Sequence, residues 1–252
     1  MRILQWAFPY LPVLGGREIF IRRLSEALAG SGDQVLTIAQ STSLEAPLME
    51  HSVENGLSIW RANLFAGSSP SNNRFLQVAQ EKLERVLRDF APDIVHFHRP
   101  EGPNLLVLES LCSHLRIPLV YTAHDALPQH SASTHSRLEQ VLNRCDAVAM
   151  VSPFIYQGLT TLFPAIAPRS HVVLNGVPES APAVNSGAAL NQVFAHGRFA
   201  SEKGFQVLIA AAHILRKQGR EIPMTIAGDG PMREELLQYT LSAGLRDLVS
   251  FP

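Results

Sequence analysis

Two cations stand out on a short turn. After the apolar run Gln192–Gly197, the chain reads Gly197-Arg198-Phe199-Ala200-Ser201-Glu202-Lys203-Gly204 and then enters a helical stretch. A strand leading into a helix places such a turn at the carboxyl end of a sheet, where α/β proteins bind ligands. An arginine there can grip a phosphate with two parallel hydrogen bonds, and a lysine adds a compact charge. Lys203 falls at the predicted helix start, where the helix dipole disfavours a cation. An anionic partner would offset that; a solvated surface charge is the plainer alternative. Near the amino terminus, Gly15-Gly16 separate a strand from a helix beginning at Arg17-Glu18. Two glycines there permit close backbone approach to an anion, although the same pair also suits a plain turn. The loop has neither the G-x-G-x-x-G nor the G-x-x-x-x-G-K-[ST] pattern. His96 and His98 alternate on one strand, so their side chains share a face. His124 ends the next strand. Together they could suggest a metal, but no acidic or cysteine ligand accompanies them at a recognised spacing, so the expectation is no metal. A G-x-S-x-G elbow is lacking, which leaves acyl transfer without support.

The composition narrows the field. The 252 residues are 46% hydrophobic and 17% charged, with a net charge of −1. That balance fits a folded α/β protein and offers no bulk attraction to nucleic acid or anionic membranes. Cys112 and Cys145 lack ligand spacing and read as buried free thiols of a reducing compartment. The opening Met1-Arg2-Ile3-Leu4-Gln5-Trp6 runs straight into a strand and is too short for a signal peptide or membrane span. A cytoplasmic protein is expected, with peripheral membrane contact left open.

These groups need a frame. Apolar runs at 2–8, 34–39, 57–61, 93–97, 118–122, 147–151 and 171–174 alternate with helical stretches at 16–29, 73–90, 102–115, 135–145 and 153–162. Strands alternating with helices imply a largely parallel sheet. Residues 179–191 are rich in Ala, Pro, Ser, Gly and Asn and read as a linker. A second series follows, with strands at 192–197, 223–227 and 248–251 and helices at 203–218 and 231–243. The expected organisation is a first domain over 1–178, a linker over 179–191 and a partial second domain over 192–252. Three strands and two helices are few for a doubly wound domain, so the second is expected to be incomplete.

In order along the chain come Gly15-Gly16-Arg17-Glu18, Pro92-Asp93-Ile94-Val95-His96-Phe97-His98 and Val120-Tyr121-Thr122-Ala123-His124-Asp125. After them come Asp146-Ala147-Val148, Val172-Val173-Leu174-Asn175-Gly176-Val177, Gly197-Arg198 with Glu202-Lys203-Gly204, and Ile226-Ala227-Gly228-Asp229-Gly230-Pro231. The series resembles retaining glycosyltransferases of family GT4, the glycosyl transferase group 1 class. The resemblance implies a GT-B fold of two Rossmann-like parallel-sheet domains. It also implies a nucleotide-diphosphate-sugar donor held between them, a glycan, glycolipid or small-molecule acceptor, no cofactor and no obligatory metal. By motif position, Arg198 and Lys203 would bind the donor diphosphate, Gly15 and Gly16 would let the first loop approach it, Gly228 would line the nucleotide pocket, and His124 would contact the transferred sugar. His98, Arg99, Glu101 and the segment 126–137 are acceptor-side candidates. The family's paired-glutamate motif, which holds donor sugar and ribose, lies beyond this point of the pattern. A non-catalytic binding module of GT-B type is therefore a second expectation. A sugar-nucleotide epimerase is a third, against which the GG and GR/EKG motifs argue.

Overall fold

A computed structural model describes residues 1–43, 45–64, 73–98, 103–114, 116–125, 132–177 and 192–252. The acceptor-side candidates Arg99 and Glu101, residues 126–131 and the expected linker 179–191 lie outside these. The chain divides into two compact units, Met1–Val177 and Pro178–Pro252.

In the first unit the strands are β1 (Arg2–Ala7), β2 (Gln34–Gln40), β3 (Met49–Glu54), β4 (Leu57–Ala62), β5 (Ile94–His98), β6 (Leu119–Ala123), β7 (Ala147–Met150) and β8 (Ser170–Val172). The helices are α1 (Gly16–Gly30), α2 (Asn73–Phe90), α3 (Pro103–His114), α4 (Ala132–Arg144) and α5 (Pro153–Leu162). The eight strands form one sheet in the order β3-β4-β2-β1-β5-β6-β7-β8, parallel except for β3, which pairs antiparallel with β4. The order reverses beside β1, between its neighbours β2 and β5, and such a switch point opens a crevice at the carboxyl ends of the strands.

Alternation decides what faces each side. Leu4, Trp6, Val95, Phe97, Leu119 and Tyr121 point to one face and pack against Leu83 and Leu87 of α2, Leu105 and Leu111 of α3, and Leu138 and Leu142 of α4. The opposite parity carries Ala7, Ala39 and Ile59 against Ile21 of α1. Gln5, His96, His98 and Thr122 share that second parity.

Two aspartates close the sheet at its amino end. The Asp93 carboxylate accepts the Arg2 backbone N–H at 2.7 Å, and that of Asp146 accepts the Leu119 N–H at 2.8 Å. Each precedes one strand and ties down the first residue of its neighbour, giving these two motif residues a structural role.

Strand β3 escapes the periodicity reading. Its sequence, Met49-Glu50-His51-Ser52-Val53-Glu54, is polar and largely exposed at the sheet edge. Asn55 and Gly56, at φ 52 and 80, turn it into β4, as expected of an Asn-Gly hairpin. Strand β8 ends at Val172 rather than continuing to Leu174. The Cys145 thiol is buried and donates to the Val141 carbonyl at 3.2 Å. Among the described residues, no helix is long and apolar enough to cross a membrane.

The second unit contains β9 (Val193–His196), α6 (Phe205–Lys217), β10 (Met224–Ala227), α7 (Arg233–Ser242) and β11 (Val249–Ser250). Its three strands are parallel in the order β11-β10-β9. Phe199, Phe205, Ile209, Met224, Ile226, Leu236, Leu245 and Val249 form its core.

Candidate active site

In the first unit, the carboxyl ends of β1, β5 and β6 bring a polar chain together on the face covered by α1. Register pairs Ala7 with His98 and His98 with Thr122. Gln5 and His98 are fully buried. His98 donates from Nε2 to Gln5 Oε1 at 2.8 Å, and its Nδ1 lies 3.0 Å from His124 Nε2. His96 bonds Thr122 Oγ1 through Nε2 at 2.7 Å. The His96 and His98 rings are 4.0 Å apart, and Phe20 of α1 sets its edge on His98 and His124. Burial pushes the His96 imidazole down to about 4, with the His124 charge a second cause. Burial drives His98 well below the ordinary histidine range as well, helped by His96, His124 and Arg17. Both therefore stay neutral at physiological pH. Among the described residues, no group of three or more His, Cys, Asp or Glu side chains is arranged to hold a metal ion.

This placement corrects one expectation. His98 does not offer a surface to an acceptor, because it is fully buried with both ring nitrogens engaged. His124, half-buried just beyond β6, is the histidine nearer the surface.

The two glycines before α1 differ in kind. A Cβ on Gly15 would run into the Glu18 carboxylate, whereas nothing lies within 4 Å of one on Gly16. Glu18 is buried and accepts from Arg17 Nε at 3.0 Å. The protein's own carboxylate thus lies over Gly15 at the helix start, where the backbone N–H groups favour an anion. The open approach is at Gly16.

A cavity of about 600 Å³ adjoins this loop and was not foreseen from the sequence. Tyr10, Leu14, Arg22, Glu54 and Arg61 are among its lining residues. Arg61 donates to the Leu11 carbonyl at 2.7 Å and to Glu54 at 2.8 Å. The signal that could have revealed it is the Asn55-Gly56 hairpin, which delivers Glu54 and Arg61 to one place.

In the second unit, the turns after β9 and β10 interlock. Gly197 N–H donates to Ala227 O at 3.0 Å, Phe199 N–H to Asp229 O at 2.9 Å, and Met232 N–H to Phe199 O at 3.0 Å. A Cβ on Gly228 would overlap the Gly197 carbonyl oxygen, and one on Gly230 would come within 2.6 Å of the Phe199 carbonyl oxygen. Arg233 braces the pair, donating to the Gly228 carbonyl at 3.1 Å with its guanidinium over the Phe199 ring. Gly228 thus has a packing reason independent of any ligand.

On this locked turn Arg198 and Lys203 are exposed. Neither makes an ion pair or side-chain hydrogen bond among the described residues. Lys203 does not begin α6, as its position had suggested. It ends a short 3-10 turn, Ser201–Lys203, and Gly204 at φ 67 separates it from the helix. The left-handed residue separates this turn from α6, which begins at Phe205, two residues beyond Lys203.

Models of known families cover both units of the chain. The chain belongs to Glycosyltransferase Family 4, whose model matches residues 14–181, and residues 179–252 match the model for glycosyl transferases group 1. The chain is 26% identical over 279 residues to a D-inositol 3-phosphate glycosyltransferase of Arthrobacter sp., a match covering 94% of this chain and 63% of that protein. It is 26% identical over 271 residues to a glycogen synthase of Mycobacterium tuberculosis, covering 94% of this chain and 64% of that one. The chain thus spans less than two thirds of the length of these relatives. A structure of Anabaena HepE in complex with UDP-glucose superposes with a TM-score of 0.69 at 20% identity, over 100% of this chain and 68% of that one. The fold is the GT-B fold of α/β sheets.

Proposed function

We propose that the protein is a retaining glycosyltransferase, moving a sugar from a nucleotide-diphosphate-sugar to an acceptor hydroxyl. The observation that carries this reading is the pair of exposed cations, Arg198 and Lys203, on a turn held rigid by glycine packing at the carboxyl end of β9. Negative charge builds on a departing diphosphate as the glycosidic bond breaks. Fixed cations aimed at that charge lower the barrier, each contributing on the order of 3 kcal/mol. No metal is required by this scheme. Rigidity matters because a preorganised group does not have to reorient during the reaction.

On the same reading His124 addresses the transferred sugar, Gly16 offers the backbone approach to donor or acceptor, and Gly228 lines the nucleotide pocket. The acceptor is a glycan, glycolipid or small molecule. Support comes from the family assignment and from the Anabaena structure, which was obtained with UDP-glucose.

The test is a screen of UDP-, GDP- and ADP-sugars against the full-length protein by thermal shift, since a ligand that binds only the folded state raises its melting temperature. The anomeric configuration of any product would then be read by NMR. One donor that stabilises the protein and yields a product of retained configuration supports the reading. Inverted configuration removes the retaining assignment, and failure of every donor to bind removes the donor assignment.

A further inference from the structure

We propose that the cavity between α1, the β3–β4 hairpin and the loop after β1 is a subsite for an uncharged, polyhydroxylated ring, one sugar unit of the acceptor. That the ring belongs to an acceptor rests on the glycosyltransferase reading; its binding here rests on the cavity alone.

The cavity holds about 600 Å³, within the roughly 300–1,000 Å³ of small-molecule sites. Leu57 and Ile59 alternate along β4, share a face and line the cavity, so they offer an apolar surface to the C–H side of a ring. Tyr10 is only 2% exposed, and its hydroxyl lies among the charges of Arg22, Glu54, Glu26 and Arg61. A buried tyrosine hydroxyl usually finds a protein partner. This one has none among the described residues, yet it is not sealed from solvent. It opens to the cavity whose charged wall surrounds it.

The charged groups divide into those the fold uses and those it leaves free. Arg61 donates to the Leu11 carbonyl at 2.7 Å and to Glu54 Oε1 at 2.8 Å, which ties the loop to the hairpin and frames the cavity. Ser52 donates to the same Glu54 oxygen at 3.0 Å. Glu54 Oε2 accepts nothing among the described residues. Arg22 donates from Nε to Glu26 at 2.7 Å, and its two terminal nitrogens donate to nothing among the described residues. The Arg61 clamp explains the loop's position, but it needs neither the free end of Arg22 nor the Tyr10 hydroxyl. Donors on Arg22, an acceptor on Glu54 and a hydroxyl that can do both therefore line one space. Each hydroxyl of a sugar is likewise donor and acceptor, so neighbouring hydroxyls match this set. An anion matches it poorly. The guanidinium groups of Arg22 and Arg61 are balanced by the carboxylates of Glu26 and Glu54, and the open Glu54 oxygen repels a second negative charge. The loop that lines the cavity leads straight into Gly15-Gly16, so a ring held here lies beside the open approach at Gly16.

The test is saturation-transfer NMR on the full chain without nucleotide-sugar. Glucose, galactose, mannose, maltose and myo-inositol are the uncharged probes; glucose 6-phosphate and glucuronate are the anionic counterparts. At least one uncharged probe is expected to bind with millimolar affinity. Tyr10→Phe should weaken that binding about 3–10-fold, as loss of a neutral hydrogen bond does, and Arg22→Met about 10-fold or more, as loss of a charged one does. Tyr10→Phe keeps the packed ring, and the Arg22 side chain is 36% exposed, so both variants should fold, which thermal melting checks; if one does not, the other decides. Binding of no uncharged probe would overturn the proposal, and so would binding that either folded variant leaves unchanged. Tighter binding of glucose 6-phosphate or glucuronate than of glucose would overturn the uncharged class. Loss of this subsite would leave the donor screen to decide the glycosyltransferase reading, whereas a chain that binds the ring but no donor would keep the subsite and lose that reading.

Discussion

The α-carbon of Gly228 packs against the carbonyl oxygen of Gly197 so closely that a methyl group has no room. Both residues have positive φ, 152° and 155°, where side chains are disfavoured. The contact joins the turn carrying Arg198 to the Gly228-Asp229-Gly230 turn. Gly228→Ala should therefore destabilise the second unit by about 1–3 kcal/mol, the usual range for overpacking. It should also weaken nucleotide binding through displacement of the Arg198 turn. Urea unfolding and donor titration check the two effects. A stable Gly228→Ala with full affinity would show that the turns separate freely.

Removing the cations themselves should behave differently. Arg198 and Lys203 are exposed and unpaired among the described residues, so Arg198→Ala and Lys203→Ala should change stability by no more than about 0.5 kcal/mol. Each charge-assisted hydrogen bond to a phosphate is worth about 1.5–3 kcal/mol, so nucleotide-sugar affinity should fall by roughly 10–100-fold. Calorimetry on the full-length protein would measure it. Wild-type affinity in both variants would move the diphosphate site elsewhere.

Acid should weaken the histidine cluster. Folding holds His96 neutral down to about 4, whereas an unfolded histidine protonates near 6.5. Between those values the unfolded chain binds more protons, so stability is complete above about 6.5 and declines as pH falls toward 4. The loss from this residue is at most on the order of 3 kcal/mol. His96→Gln, which can still bond Thr122, should flatten part of the decline in a series of denaturant curves. An unchanged slope would mean that His96 is solvated.

Asp93 acts over a lower range. The Arg2 backbone N–H, and then the Arg2 charge, hold its carboxyl below the ordinary 3.8. Its contribution is present above that value and is lost as pH falls through the folded pKa. Asp93→Asn should be less stable than wild type at pH 7, and the gap should close in acid. A gap independent of pH would point to the side chain's shape rather than its charge.

How legible all this was depends on the range of the interaction. Strands buried on both faces announce themselves as continuous apolar runs, and β1, β2 and β5–β7 were readable for that reason. The edge strand β3 buries little, so its residues carry no period, and only Asn55-Gly56 marked it. The shared face of His96 and His98 followed from alternation. Burial of His98 did not, because its partner Gln5 is 93 residues away and on another strand. The same holds for Asp93 and Arg2, 91 residues apart. Lys203 was placed at the start of a helix that begins two residues later, at Phe205, because a left-handed Gly204 resembles an ordinary early helical glycine in sequence.

Glu18 illustrates a charge pair whose value is set by enclosure. Its carboxylate and the Arg17 guanidinium retain only 7% and 14% of their side-chain exposure, at a separation of 3.0 Å. Arg17 Nη1 is buried without a hydrogen-bond partner, and its other anion, Asp125, stands 3.7 Å away and half exposed. Glu18→Gln would leave the guanidinium only the half-exposed Asp125 carboxylate, 3.7 Å away, as a compensating charge, a loss of about 1–3 kcal/mol. It would also remove an anion from the start of α1. Replacing both residues by apolar ones of similar size removes the uncompensated charge together with its partner, and such exchanges are often neutral. The double variant Arg17→Met/Glu18→Met should therefore be more stable than the sum of its single variants implies, with a coupling of about 1 kcal/mol or more in a double-mutant cycle. Additive single effects would show that water reaches the pair and screens it.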